Sequence, residues 1–200
     1  MSEWVRGAIA LDLSADDGLS SRLLAELRPA RFDLVMMLEV IEHLADIPHA
    51  LGEIARVMRP GAAAIVTTPN RLNVSSRMHY LLSGYYKGRR APLAYRYRVA
   101  DGRNWHVMGL NDLHWIAWGA GLRMEALGRS RRKLRSRIFA PILWPLIAGF
   151  SWMLYGRAKE PAQRRINREL LGFMTSASLL MDENIIMRFR KVDGSDSRQD

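Results

Sequence analysis

The feature that most constrains this chain is a strand–helix–strand pattern between residues 32 and 70. FDLVMMLEV, residues 32–40, is a short apolar run without alternation, the pattern of a parallel strand buried on both faces. Asp46 suits a helix N-cap and Pro48 a first helical turn. Ile47, Leu51, Ile54, Ala55 and Met58 then recur at helical spacing. Pro60-Gly61 stops that helix, and AAAIVTT, residues 62–68, reads as a second buried strand closed by Pro69-Asn70. A strand, helix and strand in so short a stretch form a βαβ unit with a right-handed crossover, which implies an α/β fold around a parallel pair.

The flanks extend this plan. Residues 6–13 read as a short strand ending near Asp12, followed by a polar loop and a brief helical piece over residues 20–27. After Asn70 the pattern predicts a short helix at about residues 75–83. A long basic and aromatic loop then runs to about residue 105, of the length used for lids or substrate loops. Asn111 can cap a helix carrying Leu113, Ile116, Ala117 and Ala120, closed by Gly121, and residues 122–127 alternate like a strand. A third helix is predicted over residues 162–180, with Ile166, Leu170, Phe173, Ala177 and Leu180 on one stripe. A last strand over residues 183–192 places Ile185, Met187 and Phe189 on one face. The predicted organisation is one domain over residues 1–192, with a basic and apolar insertion at residues 129–160 and a disordered tail at residues 193–200.

Composition narrows the chemistry. The chain has no cysteine, which excludes disulfides, thiolate metal sites and cysteine nucleophiles. Its N-terminus has an acid among the first residues and an apolar stretch too short for an export signal, so a cytoplasmic setting is expected. The formal net charge is +10, with much of the excess in Arg129, Arg131, Arg132, Lys133, Arg135 and Arg137. The segment that follows, Ile138 to Tyr155, carries no charge and contains Trp144, Trp152 and Tyr155, which favour a membrane interface. It lies at the lower length limit for a span, and Pro141 and Pro145 argue against one straight helix. Packing on the domain or on a partner competes with contact to an anionic membrane surface at the inner face of a membrane. Nucleic acid is the rival partner, with Tyr85, Tyr86, Tyr95 and Tyr97 available for stacking. It is less favoured because RNA binding does not require the joined apolar segment.

The stretch FDLVMMLEVIEHLADIPHALGEIARVMRPGAAAIVTTPN, residues 32–70, resembles the central segment of class I S-adenosylmethionine (SAM)-dependent methyltransferases. There a Phe-Asp strand runs into a Glu-x-x-Glu-His element. A helix ending in Arg-Val-x-x-Pro-Gly and a strand ending in Thr-Pro-Asn follow. DLSADDGL, residues 12–19, is similar to the family's acidic loop against the adenine. HVMGLNDLHWIAWGAGLRMEAL resembles its His-containing loop, helix and strand, and ENIIMRFRK its final antiparallel strand. The resemblance implies a Rossmann-like sheet incomplete at the N-terminus, with SAM as cofactor. The implied activity is methyl transfer to oxygen, nitrogen or carbon of a small-molecule or lipid-linked acceptor. It implies cofactor contacts from Asp12 and from Leu38, Glu39 and Val40, the last three against the methionine end of SAM.

Glu42 and His43 are the catalytic candidates, because an imidazole titrating near neutral pH can serve as a general base. Asn70 and His106 are candidates for the acceptor side. Glu39, Glu42, His43 and His106 also resemble a divalent-ion set found in small-RNA 2′-O-methyltransferases, but the sequence around His106 does not follow that group closely and no metal is assigned. One departure is large. The glycine-rich turn after the family's first strand is absent, and too few residues precede Asp12 to supply the first two strands. The chain is therefore expected to be part of a longer enzyme and to bind SAM poorly alone. The alternative is a non-catalytic, membrane-associated or partner-binding remnant.

Overall fold

The computed structural model describes residues 26–44, 46–84, 86 and 108–192. The expected 6–13 strand, nearly all of the 20–27 helical piece, Asp12, His106, most of the basic aromatic loop and the tail lie outside the described residues. The described part is a four-stranded mixed sheet with helices, an α/β architecture. Its strands are β1 (Phe32–Leu38), β2 (Met58–Pro69), β3 (Leu122–Leu127) and β4 (Asn184–Lys191), in the order β1-β2-β4-β3. β1 and β2 are parallel, whereas β4 runs antiparallel to both β2 and β3.

Helix α1 (Ile47–Val57) connects the parallel pair, and the Asp46 carboxylate caps it by accepting from the His49 N–H at 2.9 Å. The helix gives Ile47, Leu51, Ile54, Ala55 and Val57 to the core. Opposite them lie Ala64 and Val66 of β2 and the predicted row Ile185, Met187 and Phe189 of β4, all buried. α1 stops at Val57, and Pro60-Gly61 falls inside the longer β2, where the pairing with β1 shifts register between Phe32 and Leu34. Gly61 takes a positive φ of 75°, which a side chain would disfavour.

Four further expectations change. First, β1 is not buried on both faces: Leu34, Met36 and Leu38 are 50%, 59% and 53% exposed, whereas Met37 is buried. Met37 and the half-buried Val35 join the core on one face of β1, and the opposite face is the exposed one. Second, helix α3 (Leu110–Gly119) begins before Asn111. Its N-cap is Gly109, whose N–H donates to the Asp112 carboxylate at 2.8 Å. Third, the helix expected over residues 162–180 is two helices, α5 (Pro161–Met174) and α6 (Ala177–Met181). Ser176 breaks it by accepting from the Leu179 N–H at 3.2 Å as a new N-cap.

Fourth, the segment with two prolines is one continuous helix, α4 (Leu134–Tyr155). Each proline lacks the N–H that would reach four residues back, which releases the carbonyls of Arg137 and Pro141. Both residues are exposed, so these carbonyls can be solvated and the helix survives. α2 (Val74–Ser83) matches its expected range to within a residue and packs beside α4 around Val74, Ala140 and Leu180.

Candidate active site at the end of the parallel strands

The site begins where β1 leaves the sheet. Glu39 adopts a left-handed φ of 54°, a conformation that costs a non-glycine residue on the order of 1 kcal/mol. Its N–H is held by Thr67 of β2, donating to the carbonyl at 3.2 Å and to Oγ1 at 3.0 Å. The adjacent strand thus fixes the sharp exit. The chain then closes a 3-10 turn, Ile41–His43, with the His43 N–H donating to the Val40 carbonyl at 2.9 Å. In open parallel sheets ligands bind beyond the carboxyl ends of the strands, and this turn occupies such an end.

The three ionisable side chains of the turn diverge. Glu39 is exposed, yet its carboxyl is raised above the ordinary range. Desolvation is the main cause, opposed by the Thr67 hydrogen bond, reinforced by the charge of Glu42 and offset by His43. Glu42 turns inward and is buried, its Oε2 accepting from the Thr68 hydroxyl at 3.1 Å. His43 is half-buried beside them. Glu42, Thr68 and the buried Arg71 border a cavity of about 10 Å³, closed by Ile41, Ile47 and Leu113. That is room for roughly one water. On the outer side of the turn Leu38 and Glu39 are exposed.

Asn70 does not point into the crevice. It is buried, and its amide donates to the carbonyls of Leu179 and Asp182 at 2.8 and 2.9 Å and accepts from the Leu72 N–H at 2.9 Å. These bonds use both of its N–H groups and tie the exit of β2 to the α6–β4 corner. Asn70 and Glu39 do share one end of the sheet, since Thr67, which holds Glu39, lies three residues before Asn70. Among the described residues no three His, Asp or Glu side chains are placed to hold a metal ion. Thr67, Thr68 and Arg71 are the site residues that sequence reasoning missed. The available signal was the Thr-Thr pair at the end of β2, whose hydroxyls meet the Glu39 N–H and the Glu42 carboxylate of the neighbouring turn.

A family model described as a methyltransferase domain matches residues 3–127, more than half of the chain. The chain belongs to this methyltransferase family. The antiparallel β4, between β2 and β3, has the direction of the final strand that the resemblance implied, and it lies beyond the matched residues. The ubiquinone biosynthesis O-methyltransferase of Rhodopseudomonas palustris (strain BisB5) is 51% identical over 41 residues, 20% of this chain and 16% of that protein. A protein named as a probable S-adenosylmethionine-dependent methyltransferase from Mycolicibacterium smegmatis is 46% identical over 46 residues, 23% of this chain and 18% of that protein. The chain thus covers less than a fifth of each of these relatives. Among solved structures, a SAM-dependent methyltransferase from Archaeoglobus fulgidus superposes with a TM-score of 0.46 at 14% identity, over 92% of this chain and 66% of that one.

Proposed function

We propose that this domain takes part in SAM-dependent methyl transfer to a small-molecule or lipid-linked acceptor met at an anionic membrane surface, in the cytoplasm or at the inner face of a membrane. The observation that carries the reading is the Glu39 turn. It is a strained exit at the ligand-binding end of a parallel pair, pinned by Thr67, in a chain of the methyltransferase family.

SAM would supply a methyl group already activated by the sulfonium charge. The residues present suit one end of it. Leu38 offers an exposed apolar surface. The Glu39 carboxyl, raised by desolvation, would be stabilised as a carboxylate by a cation such as the ammonium of the methionine end. Val40 shapes the turn between them. Among the described residues no glycine-rich strand end complements this wall. Asp12 remains the proposed adenine contact and His106 an acceptor-side residue, both outside the described residues. His43 is the proposed general base for an acceptor that must lose a proton. The buried Glu42 is better suited to positioning the turn through Thr68 than to touching substrate. Asn70, with its amide committed to the scaffold, is withdrawn as an acceptor contact.

The test is isothermal titration of the full-length protein with S-adenosylhomocysteine. It should bind, and Glu39→Ala should weaken binding about tenfold through loss of a charged contact. No binding, or no effect of the substitution, would overturn the assignment.

A further inference from the structure

The remaining feature with unexplained chemistry is α4, Leu134–Tyr155. A helix that is apolar all round is ordinarily buried on all sides. This one is covered along a single stripe: Ser136 and Ala140 are buried and Leu143 and Ile147 half-buried, packed against α2 and α6. The rest of its circumference is apolar and bare. Ile142, Leu146 and Trp152 are each 70% exposed, Phe150 is 59% exposed and Leu154 48%. The neighbouring α2 ends in Leu81 and Leu82, exposed by 75% and 81%.

Cations stand at the start of this surface. Arg129, Arg131, Arg135 and Arg137 are exposed, and no described carboxylate pairs with them. Arg157 and Lys159 follow the helix at its other end, also exposed. We propose that α4 is a docking helix that lies in the interfacial plane of an anionic lipid bilayer. In this arrangement the Arg129–Arg137 segment sits among headgroup phosphates, and Leu146, Phe150 and Trp152 enter the acyl boundary.

By length and composition the helix could cross a bilayer. One observation decides for lying rather than spanning: its covered stripe is committed to the domain, where Tyr155 accepts from the Asn167 amide of α5 at 2.9 Å and α5 carries Arg164, Arg165 and Arg168. A span would draw these guanidinium groups into hydrocarbon. Charge complementarity also favours a bilayer over a second copy, because two such faces would bring the basic runs of both copies together. The docking deepens the membrane-side part of the function proposed above, and its test involves no methyl transfer.

The experiment is flotation of the full chain with vesicles of phosphatidylglycerol and phosphatidylcholine against pure phosphatidylcholine, with light scattering in the absence of lipid. The chain should float with anionic vesicles, float poorly with neutral ones and be released by high salt. Arg135→Glu with Arg137→Glu should weaken binding about tenfold or more. Leu146→Glu with Phe150→Glu, at exposed positions outside the packed stripe, should do the same while leaving the circular-dichroism melting curve unchanged. Absence of flotation, equal binding to neutral vesicles, or retention at high salt would overturn the proposal. So would a dimer that the Leu146→Glu, Phe150→Glu pair dissolves while vesicles go unbound, which would make the face a contact between copies.

Discussion

Asn70 and Glu39 show how one residue can serve geometry before chemistry. The Asn70 amide joins the end of β2 to two carbonyls more than a hundred positions later in the chain, so its distant neighbours decide its role. Glu39 holds a backbone conformation that glycine would adopt more easily, which marks a position where strain is tolerated. His114 on α3 is a third case. It is buried, both ring nitrogens lack hydrogen-bond partners among the described residues, and its pKa is lowered, chiefly by desolvation, with Glu169 acting against and Arg123 with the shift. A histidine whose folded pKa lies below its unfolded one binds a proton more readily in the unfolded chain. Stability is therefore retained above the ordinary imidazole pKa of about 6.5 and lost as pH falls below it. His114→Leu should flatten that acid-side loss and change stability near neutral pH by no more than about 1–2 kcal/mol, by urea titration at a series of pH values.

At the scale of elements, hydrophobic period locates helices and strands well and locates their ends less well. α1, α2, β3 and β4 fall where apolar spacing and caps predict them, because each of these signals is local. The division between α5 and α6 depends on the competition of one side chain with the backbone, and Ser176 prevails with its bond to the Leu179 N–H. Ser176→Ala should cost about 1 kcal/mol, seen as a lower urea midpoint with an unchanged slope. α4 persists through two prolines because the carbonyls they release belong to exposed residues, a circumstance that spacing alone does not reveal.

At the scale of the molecule, the outer face of β1 and α4 share one property among the described residues: exposed apolar side chains. In β1 the alternation is sharp, with Met36 at 59% exposure and the next residue, Met37, at 4%. Met37→Ala should destabilise the domain by about 2–4 kcal/mol through loss of packing, whereas Met36→Gln should change stability by no more than about 0.5 kcal/mol. Equal losses in parallel denaturation curves would mean that the outer face of β1 is covered in solution. The two bare surfaces differ in charge. β1 has a single acid–base pair at its start, Asp33 with Arg59 at 2.8 Å, while α4 follows a run of cations. That asymmetry is why the membrane proposal concerns α4 and not the sheet.

From its residues alone the chain determined its class, its βαβ centre, the buried row of β4 and the acidic turn after β1. These follow from short-range patterns, namely apolar period, caps, Pro-Gly stops and a contiguous family motif. Only the tertiary structure decided which side chains of that turn face inward, that Asn70 clamps the scaffold, that Thr67 and Thr68 hydrogen-bond the turn, and that β1 and α4 each leave an apolar side exposed. The physical reason is the same in each case. Exposure and hydrogen-bond partnership are relations between residues far apart in the chain, and no local pattern encodes them.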